Sequence, residues 1–83
     1  MSRAPTHRVT VYGAADCSLC GPAKAIVDDV AARVGVPVEH VDITGVDALE
    51  RRFRTLIPVV EVDGAQAFHY HVDRDALERL LRA

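Results

Sequence analysis

The chain has 83 residues, room for one domain with one modest core. With 49% apolar and 27% charged residues it has the composition of a folded globular protein, which excludes the disordered and fibrous classes. Lys and Arg number 10 against 12 Asp and Glu, so the formal charge is −2 and there is no positive field to hold a nucleic-acid backbone or an anionic membrane surface.

Residues 1 to 6 read as a flexible tail. The start carries charge and a proline but no apolar run of the kind a secretion signal or a membrane span needs, so a cytoplasmic protein is expected. His7 to Tyr12 is rich in β-branched and aromatic residues and ends at Gly13, which predicts a first strand followed by a loop. Cys17 and Cys20 are too few for a disulfide scaffold, and their Cys-x-x-Cys spacing points to redox or metal chemistry. From Ser18 to Val34 the apolar Ala23, Ile26, Val27, Val30 and Val34 recur at helical spacing, and Gly35 followed by Pro37 supplies a stop. Pro22 removes a backbone donor early in that helix, so it either delays the regular helix to about Leu19 or later or kinks it.

Val38 to Ile43 predicts a second strand, too far from the first for a hairpin, so the two pair in parallel through the crossover helix. Thr44 caps a short second helix with Asp47 three residues on, and Val46, Leu49, Phe53 and Leu56 form its apolar face, with an end near Arg54. Pro58 to Val62 and Ala65 to His71 flank Asp63-Gly64, the dipeptide best suited to a tight hairpin turn, and predict two antiparallel strands. Asp73 caps a last helix with a stripe of Leu77, Leu80 and Leu81, and with Arg79 and Arg82 near its end. The order is βαβαββα.

A Cys-x-x-Cys between the first strand and the first helix of that order, together with Ile57-Pro58-Val59 opening the third strand, resembles the thioredoxin superfamily. It is most similar to the short glutaredoxin-like members with a Cys-x-Leu-Cys centre. The resemblance spans nearly the whole chain. It implies a thioredoxin fold, an α/β architecture with a four-stranded mixed sheet in the order 4-3-1-2. The first and third helices would then lie on one face and the second on the other. It also implies a cis Ile57-Pro58 peptide, and thiol-disulfide oxidoreductase activity at Cys17 and Cys20. Substrate would lie along Ser18 and Leu19 and against Ile57 and Pro58, with the backbone of Ile57 pairing with an extended thiol-bearing peptide.

Residues three apart at a helix start lie on nearly one side, near the Cα separation of about 5.5 Å that an unstrained disulfide prefers. Cys17 and Cys20 can therefore close within one chain, and a monomer is the expected state. A helix N-terminus stabilises an anion, which makes Cys17 the attacking sulfur and Cys20 the resolving one. Asp16 acts on Cys17 in the opposite sense, and the two influences leave the sign of its tuning open. The exchange needs no metal and no organic cofactor.

The glutathione-holding pieces of the glutaredoxins differ in this chain. Asp16 stands where a basic residue is usual, Ser18-Leu19 where an aromatic is usual, and His69-Tyr70-His71-Val72 where two glycines would be; only Asp73 matches, and it doubles as a helix cap. The expected partner is therefore a protein disulfide or another low-molecular-weight thiol. Three alternatives use the same residues differently: a metal site of Cys17, Cys20, His69 and His71, the two histidines sharing one strand face; an iron–sulfur centre shared between subunits; or a non-catalytic adaptor. Otherwise His7, His40, His69 and His71 read as ordinary half-exposed side chains.

Overall fold

Val9 and Val11 point into the core while Thr10 and Tyr12 turn to the opposite, partly covered face, the period-2 alternation that makes β1 (Val9–Gly13) a strand with two packed faces. The computed structural model describes residues 7–83, and the expected tail lies outside the described residues. β1 is followed by α1 (Cys20–Val34), β2 (Val38–Asp42), α2 (Asp47–Phe53), β3 (Val59–Val62), β4 (Ala65–His69) and α3 (Arg74–Arg82). The sheet order is β2-β1-β3-β4, with β1 and β2 parallel and the β1–β3 and β3–β4 pairs antiparallel. Among the described residues no helix is long and apolar enough to cross a membrane.

Two apolar layers cover the sheet. On one face Val9, Val11 and Val60 meet Val27, Val30 and Ala31 of α1 and Leu77 and Leu81 of α3. On the other, Val59 meets Phe53 of α2, with Ile43, Ile57, Ala14 and Cys20 joining at the end of the strands. The buried Glu61 on that face is met by the Tyr12 hydroxyl at 3.2 Å and by Arg52 at 3.7 Å, so its carboxylate is not left unpaired.

Local chemistry explains most of the boundaries. Gly35 takes the left-handed conformation (φ 82°), and the N–H groups of Gly35 and Val36 both reach Ala31 O, closing α1 as the Gly35 stop implies. Asp63 and Gly64 both have positive φ, 55° and 84°, as the two-residue hairpin requires. Asp73 accepts a hydrogen bond from the Ala76 N–H at 3.0 Å and so caps α3.

Other boundaries differ from the sequence reading. α1 begins at Cys20 rather than Ser18, the delayed start that Pro22 implies, which places Pro22 in the first turn, where its missing N–H would have no helical partner anyway. Thr44 does not cap α2. Its N–H donates to Asp42 Oδ1, Gly45 at φ 81° turns the chain, and the helix starts only after the extended Val46, which is 45% exposed instead of joining the apolar face. Leu80 also stays exposed, because Leu77 and Leu81, four apart, already fill the buried stripe of α3. β4 stops at His69, since Tyr70 at φ 65° lets the His71 N–H turn back onto His69 O and takes the backbone out of the ladder. His69 and His71 therefore do not share a strand face.

Candidate active site

The link from β1 to α1 is two consecutive tight turns. The Cys17 N–H donates to Ala14 O at 3.2 Å and the Cys20 N–H donates to Cys17 O at 3.3 Å, so each cysteine is fixed by the turn before it. Cys17 thus lies one turn ahead of α1 rather than inside it, and Cys20 is the first helical residue. Both thiols are free. Cys17 is half-buried, whereas Cys20 is 2% exposed and packed among Ala14, Ile43, Phe53, Ile57 and Val59.

That burial disfavours the charged form, and a hydrogen bond with Cys17 adds to it. The Cys20 thiol is thereby pushed up to about 11, while the Ala14 backbone and the Lys24 charge pull the other way. The two sulfurs differ in access, and the burial of Cys20 that raises its thiol lies in the fold.

The Ile57–Pro58 peptide is cis, as the resemblance implies. Its surroundings are not fully as expected. The Ile57 N–H already donates to Phe53 O at 3.0 Å, which leaves its carbonyl for pairing with an incoming chain, and Pro58 is buried with its own carbonyl taken by the Tyr70 N–H. Ile57 joins Asp16, Cys17, Ser18, Leu19 and Arg54 in lining an open depression of about 470 Å³. Of the sequence-predicted site residues, Cys17, Ser18, Leu19 and Ile57 meet at this surface; Cys20 and Pro58 support it from beneath.

Three further residues shape the site, of which the sequence singled out only Tyr70, in the stretch that replaces the two glycines. Arg54 Nη1 lies 3.3 Å from Asp16 Oδ1, and Arg54 Nη2 is 3.7 Å from Glu50, so a guanidinium offsets the carboxylate next to Cys17. Tyr70 straps the end of β4 onto the α2–β3 link, its N–H on Pro58 O and its hydroxyl on Thr55 O. It also borders a second, smaller recess with Leu19, Pro22, Ala23, Ile26, His71 and Val72, which makes Leu19 a ridge between two hollows. Gly13 is the third. A Cβ built there would stand 3.0 Å from Cys20 Sγ, tighter than ordinary packing allows. Gly13→Ala is expected to destabilise the reduced protein by about 1–3 kcal/mol through overpacking. Urea unfolding under reducing conditions checks this, and an unchanged midpoint would show that Cys20 can move aside freely.

The four-ligand metal set is not assembled. Among the described residues no three His, Cys, Asp or Glu side chains are grouped to hold a metal ion, and the turn at Tyr70 takes His71 off the strand face of His69.

A family model described as a glutaredoxin-like domain (DUF836) matches residues 8–82. No curated protein matches the chain. Among solved structures the chain resembles a protein from Nitrosomonas europaea with a TM-score of 0.77 at 23% identity, covering 98% of each chain. It resembles a protein from X. campestris with a TM-score of 0.71 at 26% identity, covering 89% of this chain and 95% of that one. It also resembles a mutant thioredoxin from Halobacterium salinarum with a TM-score of 0.68 at 22% identity, covering 92% of this chain and 72% of that one. The mixed four-stranded sheet with three helices is the thioredoxin fold.

Proposed function

The chain belongs to the glutaredoxin-like domain family, and on that premise we propose that it is a thiol-disulfide oxidoreductase whose Cys17 and Cys20 carry out dithiol-disulfide exchange. The observation that supports this most is the pairing of a half-buried Cys17 in an open depression with a buried Cys20 in the apolar cluster that Cys17 packs against.

Cys17 attacks as a thiolate on one sulfur of a substrate disulfide. A Cys17–substrate disulfide forms, and the substrate's other sulfur leaves with the bonding electron pair and takes up a proton. Cys20 then loses its proton and attacks Cys17 Sγ. The Cys17–Cys20 bond forms, the bond to substrate breaks, and the second substrate sulfur leaves with its electron pair. The substrate has gained two electrons and the protein dithiol has lost them. Ile57, Ser18 and Leu19 border the sulfur under attack, and the free Ile57 carbonyl is the group available to an extended backbone.

The substrate is read as a protein disulfide or a thiol carrier other than glutathione. Where two glycines would let a tripeptide approach the backbone, this chain has Tyr70 held at φ 65° by two hydrogen bonds, with His69 packed edge-on to its ring at 4.7 Å. The side chains occupy the space that glycine would leave. Titration of the oxidised protein with glutathione and with a dithiol carrier protein, under one buffer, tests this. Reduction is expected to saturate with the carrier and to rise only linearly and slowly with glutathione; faster saturable reduction by glutathione would overturn it. Failure of the reduced protein to reduce insulin or any small disulfide would overturn the oxidoreductase reading itself.

A further inference from the structure

In dithiol exchange the resolving Cys20 must ionise against its burial. It sits in an apolar wall, and a thiolate formed there has lost most of its water. A buried anion of this kind persists only if a positive charge or a set of donors stands near it.

Lys24 is placed to supply that charge. It lies four residues after Cys20, on the same face of α1 and one turn further in, and it is half-buried rather than extended into solvent. Its stem runs over Gly13. The point where a Gly13 Cβ would stand is 3.0 Å from Cys20 Sγ and 3.7 Å from Lys24 Cε, so the two side chains converge on the space that the missing Cβ leaves. Gly13 pairs in the sheet with Asp42, the last residue of β2. The Asp42 carboxylate is held below its usual range first by the Thr44 backbone N–H and also by the Lys24 and Arg54 charges. The Lys24 charge is thus within Coulombic range of both the Cys20 thiol and the Asp42 carboxylate at the sheet end.

We propose that Lys24 is a positioning residue for the resolving step, its ammonium serving as the counter-charge of the Cys20 thiolate. The inference rests on the reading of Cys20 as the resolving thiol. The Cys20 proton leaves through solvent to the departing substrate thiolate, and Lys24 gives up no proton and forms no bond. Among the described residues, Cys17 ahead of α1, Lys24 on it, Tyr12 on β1 and Asp42 on β2, itself acted on by Arg54, are the titratable and charged groups around the pair. Of these, Lys24 is the cation that acts on Cys20.

An aromatic disulfide that releases a coloured thiolate separates the two steps. Attack by Cys17 releases the first equivalent and resolution by Cys20 the second. In Lys24→Gln the first burst is expected to keep its wild-type rate at neutral pH, and the second to slow by about tenfold. Below about pH 11 the second burst should rise about tenfold per pH unit in both proteins, with the variant displaced to higher pH. Lys24→Arg, which keeps the charge, should restore the second burst to within about threefold of wild type. An unchanged second burst in Lys24→Gln, equal slowing of both bursts, or an Arg variant as slow as the Gln variant would overturn the role of Lys24 and leave dithiol exchange standing. Absence of a second burst in the wild-type protein would overturn both.

Discussion

Cys17→Ser is expected to reduce disulfide exchange to the uncatalysed background, and Cys20→Ser to stop turnover while leaving a stable mixed disulfide on Cys17. The asymmetry follows from access and acidity together. Cys17 lines the open depression, and Cys20 is 2% exposed with its thiol pushed up to about 11. At pH 7 a thiol of that acidity is ionised in on the order of one molecule in ten thousand, so Cys20 cannot compete for an external disulfide. Once Cys17 is tied to substrate, however, the Cys20 attack is intramolecular, and the effective concentration of the two sulfurs compensates for the small thiolate fraction. Intact mass measurement after reaction with a small disulfide checks both halves. Cys20→Ser should gain one adduct and keep it, Cys17→Ser should gain none, and the wild-type protein should lose two hydrogens with no adduct. Alkylation at neutral pH gives an independent reading, with Cys17 modified first; modification of Cys20 ahead of Cys17 would reverse the roles.

Phe53→Ala is expected to be the most damaging single substitution outside the dithiol. The ring is 1% exposed, stacked on Tyr12 with centroids 4.4 Å apart, and covered by the Arg52 guanidinium at 4.7 Å. Truncating a buried aromatic typically costs about 3–5 kcal/mol, the lost transfer free energy plus the cavity left behind. A domain of this size has roughly 4–12 kcal/mol in total, so the variant should approach marginal stability at room temperature. A fall in the thermal midpoint of roughly 15–30 °C would accompany it. The site should suffer before the fold does. The Phe53 carbonyl accepts the N–H groups of Leu56 and Ile57, so a loosened Phe53 frees the Ile57 wall of the depression and the Arg54 that faces Asp16. Thermal unfolding followed by circular dichroism measures the first effect. A loss below about 1 kcal/mol would mean that the α2 layer repacks without this ring and does not hold the site in place.

Much of this molecule is legible in the chain because its signals are local. The Ala23, Val27, Val30 spacing determines α1, Gly35 its end, Asp63-Gly64 the hairpin and Asp73 the cap of α3, since each depends on backbone preferences or side chains within a few residues. The dithiol is local as well, because Cys17 and Cys20 are three apart. Ile57-Pro58 was readable through its place in the element order. Where the reading and the structure part, something distant or conformational intervened. Thr44 has the right chemistry for a cap, but Gly45 turns the chain before it can serve, and Tyr70 ends β4 early because its N–H and hydroxyl are claimed by Pro58 and Thr55 across the fold. Most of the surroundings of the sulfurs were decided by tertiary structure. Arg54 beside Asp16 and the empty side-chain position at Gly13 depend on which ends of β1, α1 and α2 are brought together, whereas Lys24 reaches Cys20 through i, i+4 spacing on α1. Residue spacing encodes which face of an element is apolar; it does not encode which charged groups from other elements arrive at the edge of that face.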